Sequence, residues 1–170
     1  MQGNSDVPLI LNLGCGDDSY GDVRVDLFRT KTSNVISDVQ NLPFRSESFQ
    51  EVFERNVFEH LPNPAMHLEE VKRVLASKGR LSLITDNAAC LKFYLLGTHT
   101  GGYRKHEGKD VHYAVFTLEH IRNFMLLEGF KILQLKLTDT DYFTRYFDRL
   151  VRLLAPSLSY PRIVVEAEKP

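Results

Sequence analysis

The stretch LILNLGCGDDSY, Leu9–Tyr20, is the part of the chain from which the fold can be inferred first. An apolar run typical of a buried strand stops at Gly14-Cys15-Gly16, and two aspartates follow. Glycines allow the backbone to turn sharply and to approach a ligand closely. Because ligands of open α/β sheets bind beyond the carboxyl ends of the strands, this loop lies where a binding site is expected. A plain strand-to-helix turn is the alternative interpretation.

Seven short, apolar and often β-branched segments are predicted to be strands. They are Leu9–Leu13, Asp22–Asp26, Asn34–Ser37, Glu51–Glu54, Arg80–Thr85, Phe130–Leu137 and Arg162–Ala167. Helical patterns alternate with them, which predicts an α/β fold with a mostly parallel sheet and helices on both faces. The length of 170 residues, without internal repeat or linker, predicts one domain over residues 1–170.

Two predicted helices carry clear end signals. The first has Asn63 as its cap, Pro64 at its first position and Gly79 beyond its end. Its apolar stripe is predicted to face the core, with a Glu69–Arg73 ion pair on the other side. The second begins after Thr117 and stops at Gly129.

A third helix is predicted over Tyr142–Ala155. A wide aromatic and aliphatic stripe forms one face of this helix, and a row of arginines lies on the opposite face. Packing in the core is the first interpretation of this stripe. A homodimer contact through 142–155 is the second, and a helix lying on a membrane surface is the third.

The composition excludes several classes of protein. The formal net charge of -1 provides no overall attraction for nucleic acid or for anionic lipid. No apolar run is long enough to span a membrane, and the first residues do not resemble a secretion signal. The two cysteines form neither a disulfide framework nor a zinc-type spacing, so we predict no metal site and a cytoplasmic protein.

The loop after the first strand is unsuited to a dinucleotide. Such ligands require a G-x-G-x-x-G pattern at a helix N-terminus, but Ser19 occupies the third glycine position. Asp17 and Asp18 place negative charge where a pyrophosphate would rest. The loop therefore favours a ligand without phosphates, and a cationic ligand would also fit.

Two further aspartates follow predicted strands. Asp26 ends the second strand, where a carboxylate can accept hydrogen bonds from both hydroxyls of a ribose. Asp38 follows the third strand and could accept from the exocyclic amine of a purine, with Val39 and Leu27 as apolar walls. The alternatives are a surface cap for Asp26 and an Asx-type turn for Asp38.

The ordered motifs LNLGCG, VDL, SDVQNLPFRSESFQEVFERNVFEHLPNP and LEEVKRVLASKGRLSLITDN resemble the class I S-adenosylmethionine-dependent methyltransferases, in particular the methyltransferase type 11 group. The resemblance implies a Rossmann-like, seven-stranded sheet whose last strand is antiparallel. It also implies S-adenosylmethionine as cofactor. The nine residues between Gly16 and Asp26 are too few for a helix and a strand, so the first crossover is predicted to be shortened to a loop.

The resemblance also assigns roles to single residues. It places Gly14, Cys15 and Gly16 under the methionine part of the cofactor, Asp26 at the ribose, Asp38 and Val39 at the adenine, and Asn56 on the path to the methyl group; Leu27 is included in this cofactor set. Asn12 stands at the position where the first motif of the family usually has an acidic residue.

His60 is the candidate catalytic base, which would help only where the acceptor is a hydroxyl or another protonated nucleophile; its alternative role is structural. The segment 97–113 contains glycines and several histidines and reads as an acceptor loop, with a plain surface loop as the alternative. His99, His112 and Tyr113 are its candidate substrate residues. The Asn/Asp-Pro-Pro-Tyr/Phe motif of many methyltransferases that act on nucleic-acid bases is missing, so we expect a small-molecule acceptor and no DNA, with RNA and protein acceptors as open alternatives.

Two functions of different classes follow. The first is S-adenosylmethionine-dependent methyl transfer to a small-molecule acceptor. The alternative is a degenerate methyltransferase-like domain that binds a nucleoside or a partner without turnover, which the shortened crossover would favour. A nicotinamide-dependent oxidoreductase is a distant third.

Overall fold

A computed structural model describes residues 8–91, 112–138, 151 and 153–170. The strands are β1 (Ile10–Leu13), β2 (Val23–Asp26), β3 (Val35–Ile36), β4 (Phe49–Arg55), β5 (Leu75–Asp86), β6 (Lys131–Thr138) and β7 (Arg162–Glu168). The helices are a 3-10 turn at Phe58–His60, α1 (Pro64–Val74), α2 (Leu118–Leu127) and the short α3 (Pro156–Ser159). Each predicted strand is present, with ends that differ from the prediction by a few residues.

The seven strands form one sheet in the order β3-β2-β1-β4-β5-β7-β6. The pairs from β3 to β5 are parallel, whereas β7 runs antiparallel to both β5 and β6. The prediction of a Rossmann-like, mostly parallel sheet with an antiparallel last strand is confirmed. The order reverses beside β1, which is the position where such sheets bind ligands.

The first crossover is a loop, as predicted. Residues 14–22 are all described and contain no helix. The connections 27–34 and 37–48 are also described and also lack one. A parallel crossover normally needs a dozen or more residues and a helix, and the first connection is too short for that. The connections that lead from β1 to β4 therefore contain no crossover helix.

The core lies between the sheet and the two longer helices. Leu68, Val71 and Val74 of α1 are fully buried, as are Ile121 and Met125 of α2. The apolar stripe predicted for the first helix is therefore confirmed at these positions of α1, and each fully buried large side chain contributes about 1.5–3 kcal/mol.

The helix starts follow the local signals, but the predicted end of α1 before Gly79 was wrong, because α1 ends at Val74 and β5 begins at Leu75. Asn63 caps α1 by accepting from the Met66 N–H, and Thr117 caps α2 in a reciprocal capping box with His120. The ion pair predicted for Arg73 was wrong in its partner. Arg73 binds Glu70, one turn away at i,i+3, and not Glu69.

Most of the predicted helix 142–155 lies outside the described residues. Leu154, which the prediction placed on the apolar face, is 74% exposed, so the core-packing interpretation is wrong at this position. Within the described part of the chain, no helix has both the length and the apolar character needed to cross a membrane.

Candidate active site

The predicted cofactor residues lie at one edge of the sheet, where the parallel strands end. Leu13 is paired with Val25 on one side and with Glu54 on the other, so β1, β2 and β4 end at the same level. The segment Gly14–Gly16, called the glycine loop below, follows directly beyond this level, as do Asp26 and Asn56. Neighbouring strand ends of this kind form the crevice in which open α/β sheets bind ligands.

The glycine loop is held in a left-handed conformation against the segment after β4. Gly14 has φ +60° and Gly16 has φ +51°, a region that side chains disfavour. A Cβ at Gly14 would lie 2.3 Å from Cγ2 of Val57, whereas a Cβ at Gly16 would meet no described atom within 4 Å. Gly14 is therefore required both by packing and by conformation, and Gly16 by conformation alone.

Asp26, which was predicted to bind the ribose, forms hydrogen bonds to the glycine loop and to the turn after β2. Its Oδ2 accepts from the Gly16 N–H at 2.9 Å, and its Oδ1 accepts from the Phe28 N–H at 3.0 Å. Thr32 Oγ1 donates to the Gly16 carbonyl at 2.7 Å, which adds a second link to this loop. Each carboxylate oxygen can accept more than one hydrogen bond, so acceptor capacity remains for a ligand.

Asn12, which replaces the usual acid, is buried within the fold. Its Nδ2 donates to the Tyr20 carbonyl at 3.1 Å. Tyr20 in turn donates its hydroxyl to Glu51 at 2.7 Å, and this bond together with burial raises the pKa of Tyr20 to about 12. Asn12 therefore closes the β1–β2 loop.

Asp38 adopts the Asx-type turn that was its alternative interpretation. Its Oδ1 accepts from the Gln40 N–H at 2.9 Å, while the carboxylate stays exposed. Val39 is only 7% exposed and packs in the core, whereas Leu27 is 58% exposed. Of the two predicted apolar walls, only Leu27 is an open surface.

A buried ion pair supports Val39 from below. His67 Nε2 lies 2.7 Å from Glu54 Oε2, and His67 Nδ1 lies 3.1 Å from the Val39 carbonyl. Burial lowers the pKa of His67, but the Glu54 carboxylate outweighs this effect and the pKa is raised. Because the carbonyl can only accept, Nδ1 must donate, and a raised pKa favours an imidazolium that donates from both nitrogens. Oε1 of Glu54 has no hydrogen-bond partner among the described residues.

Asn56, predicted on the path to the methyl group, joins three strand ends. It has φ +55°, and its N–H donates to the Ile84 carbonyl at 2.8 Å. Its Oδ1 accepts from Arg162 Nη1 at 2.6 Å, and the same guanidinium nitrogen binds Asp86. The Asn56 side chain is thus fixed by the cation that neutralises Asp86.

A carboxylate and two imidazoles converge next to Asn56. Glu59 is 1% exposed and its Oε2 accepts from Thr85 Oγ1 at 2.7 Å. Burial raises the pKa of Glu59 to about 7. The rings of His60 and His112 lie nearly perpendicular, with centroids 4.5 Å apart. Ligand-type atoms of Glu59, His60 and His112 all lie within 4.8 Å of one another.

The predicted substrate residues are only partly accounted for. The structure places His112 beside His60 and leaves Tyr113 63% exposed, whereas His99 lies outside the described residues. Sequence reasoning missed Glu54 and Glu59. The two-residue period of β4 places Glu54 on the buried face of Val52, and Glu59 interrupts an apolar run, so a signal for both was present.

Comparison with known proteins gives a family match over part of the chain and a fold for nearly all of it. A family model described as a methyltransferase domain matches residues 17–83, which include Asp26, Asp38, Asn56 and His60 but not the glycine loop. An uncharacterized protein of Methanocaldococcus jannaschii is 30% identical over 93 residues, covering 46% of this chain. The match spans 41% of the length of that protein.

Solved structures share the fold at low identity. The methyltransferase in complex with the Trm112 activator of Haloferax volcanii has a TM-score of 0.67 at 14% identity, covering 96% of this chain and 83% of that one. An S-adenosylmethionine-dependent methyltransferase from Methanosarcina mazei has a TM-score of 0.65 at 14% identity, with 95% and 92% covered. The family match confirms the resemblance to the methyltransferase type 11 group over residues 17–83, and the solved structures confirm the fold.

Proposed function

We propose that this chain binds S-adenosylmethionine and catalyses transfer of its methyl group to a small-molecule acceptor. The observation that carries this proposal is the loop 14–22, which meets Asp26 without any helix. A pyrophosphate would need the N–H groups of a helix N-terminus there, and Asp17 and Asp18 would oppose its charge. A nucleoside that bears a sulfonium instead of phosphates suits both features.

The cofactor residues divide into organising and binding groups. Gly14, Cys15 and Gly16 form the floor for the methionine part. Asp26 holds this floor through Gly16, and its remaining lone pairs accept from the ribose hydroxyls.

The adenine end of the site rests on a second set of residues. Leu27 offers an exposed apolar surface for the adenine ring. Asp38 accepts from the exocyclic amine, and Val39 contributes its backbone. The buried His67–Glu54 pair keeps this turn in position because His67 holds the Val39 carbonyl.

The chain's own contribution to the reaction is positioning. S-adenosylmethionine supplies an activated methyl group when bound, so the protein must align the acceptor and exclude water. Asn56, tied by Arg162, fixes the backbone beside the methyl path. His60 is the proposed base for a hydroxyl acceptor, and His112 and Tyr113 are proposed to line the acceptor side. His99, which was predicted with them, lies outside the described residues.

The acceptor class is inferred from charge. The formal net charge of -1 disfavours a polyanion, and so do Asp17 and Asp18 after the glycine loop. We therefore propose a small-molecule acceptor and no DNA. A cytoplasmic location and a homodimer through 142–155 stay predictions.

A domain that binds the nucleoside without turnover is the second candidate. The loop 14–22 in place of a first crossover helix favours it, since fewer elements cover the cofactor than in a full crossover. The two candidates share the cofactor residues and differ only in whether an acceptor is methylated.

Calorimetry with S-adenosylhomocysteine, and with NADH as the competing ligand, tests cofactor binding. We expect one equivalent of S-adenosylhomocysteine to bind and NADH not to bind. Transfer of label from methyl-tritiated S-adenosylmethionine to a pool of small metabolites then tests turnover. Binding without transfer to any acceptor would favour the second candidate, and absence of binding would overturn both.

A further inference from the structure

We propose that Glu59, His60 and His112 bind one divalent transition-metal ion. Their ligand-type atoms lie within 4.8 Å of one another, close enough for all three to reach a common ion. One carboxylate and two imidazoles form a ligand set that suits zinc and the neighbouring first-row metals.

The backbone holds the three side chains together. Glu59 and His60 are consecutive in the 3-10 turn, where the His60 N–H donates to the Val57 carbonyl at 2.9 Å. The Tyr113 N–H donates to the Glu59 carbonyl at 2.9 Å, which places His112 over the same turn. The group is thus assembled by the fold before any ion binds.

Glu59 also has the outer support that metal ligands usually have. Its Oε2 accepts from Thr85 Oγ1 at 2.7 Å, which fixes the orientation of the carboxylate. Such hydrogen bonds from a second residue orient ligands and tune the metal. Arg162, whose charge acts on Glu59, is itself bound to Asp86 and Asn56.

The three side chains differ in their burial. Glu59 is buried, whereas His60 and His112 are each only partly buried. Three protein ligands leave at least one coordination position, as in catalytic zinc sites. Aromatic packing of the two imidazoles is the competing explanation, since their rings meet edge to face at 4.5 Å. Packing of the two rings alone gives no role to the buried Glu59 carboxylate, which lies close to both imidazoles.

The consequence for the acceptor rests on the proposed function. An ion at this position would bind an acceptor oxygen and lower the pKa of its hydroxyl. His60 would then act as a ligand and not as a free base. The acceptor would attack through an oxygen atom. Acceptors with a second oxygen that also binds the ion would be favoured, because they form a chelate.

Titration of the chelator-treated protein with Co²⁺, without any nucleoside, tests the metal site. We expect one equivalent to bind with visible d–d absorption bands. His60→Gln and His112→Gln should each weaken binding at least ~10-fold, and Thr85→Val should weaken it about 10-fold through Glu59. Glu119→Gln, an exposed carboxylate on α2, is the matched control and should bind as the parent does.

Two results would overturn the proposal: no Co²⁺ bound by the parent, or equal Co²⁺ affinity in the parent and both histidine variants. Because both histidines are only partly buried, melting curves of the metal-free variants should match the parent and exclude misfolding. Binding of S-adenosylhomocysteine is measured separately without metal, so failure of the metal site and failure of the proposed function give different results.

Discussion

Replacement of His67 by leucine should destabilise the protein severely, because it leaves Glu54 as an unpaired buried charge. Glu54 Oε2 is bound to His67 at 2.7 Å, and Oε1 has no other hydrogen-bond partner among the described residues. Removing one partner of a buried pair costs about 3–5 kcal/mol. Since His67 provides the hydrogen bond to this carboxylate, the upper half of that range is expected.

The double variant Glu54→Leu/His67→Leu separates charge from packing. It removes the carboxylate together with the imidazole, and replacement of a buried pair by apolar side chains is often close to neutral. We therefore expect the double variant to be more stable than His67→Leu alone. Urea unfolding gives the free energies, and the melting temperature of His67→Leu should fall by roughly 8–20 °C.

The pair should also make stability depend on pH. The pKa of His67 in the folded protein is raised above that in the unfolded chain. Its contribution is therefore complete below pH ~6.5 and is lost as the pH rises through the folded pKa. Glu54→Gln keeps a neutral hydrogen bond to His67, so the stability difference between the parent and this variant should shrink as the pH rises.

Two outcomes would refute this reasoning. If the double variant is as unstable as His67→Leu, lost packing and not the stranded carboxylate is the cause. If the parent and Glu54→Gln show the same pH dependence of stability, the imidazolium is not formed in the folded protein.

Three further substitutions test the loop and the helix signals. Gly14→Ala should lower stability by about 1–3 kcal/mol, since φ is +60° and Cβ would lie 2.3 Å from Val57, and Val57→Ala in the same chain should restore part of it in urea unfolding. Asp26→Asn should weaken S-adenosylhomocysteine binding roughly 10–150-fold in calorimetry, the scale of a lost charged hydrogen bond, and unchanged affinity would remove Asp26 from the site. Thr117→Ala should cost about 1 kcal/mol of stability without altering nucleoside affinity, because the cap of α2 lies outside the cofactor residues.

Local signals were sufficient wherever the cause lies within a few residues. Asn63 and Thr117 begin their helices as predicted, because a capping side chain bonds to an N–H three residues along the chain. A sharp turn at the glycine loop was predictable because glycine permits the left-handed φ angles that Gly14 and Gly16 adopt. The partner of Arg73 was less predictable, since Glu69 and Glu70 both lie within reach on one helix face.

Sequence alone therefore determined the strands, the two capped helices, the loop-type first crossover and the set of residues at the carboxyl edge of the sheet. The tertiary structure decided which residues contact one another. Asp26 meets Gly16, His67 meets Glu54 and the Val39 carbonyl, and His112 lies beside His60. These partners are far apart along the chain, and the sheet order brings them together. No periodicity, cap or turn signal encodes contacts of that kind, because each such signal reports only on the conformation of its own short segment.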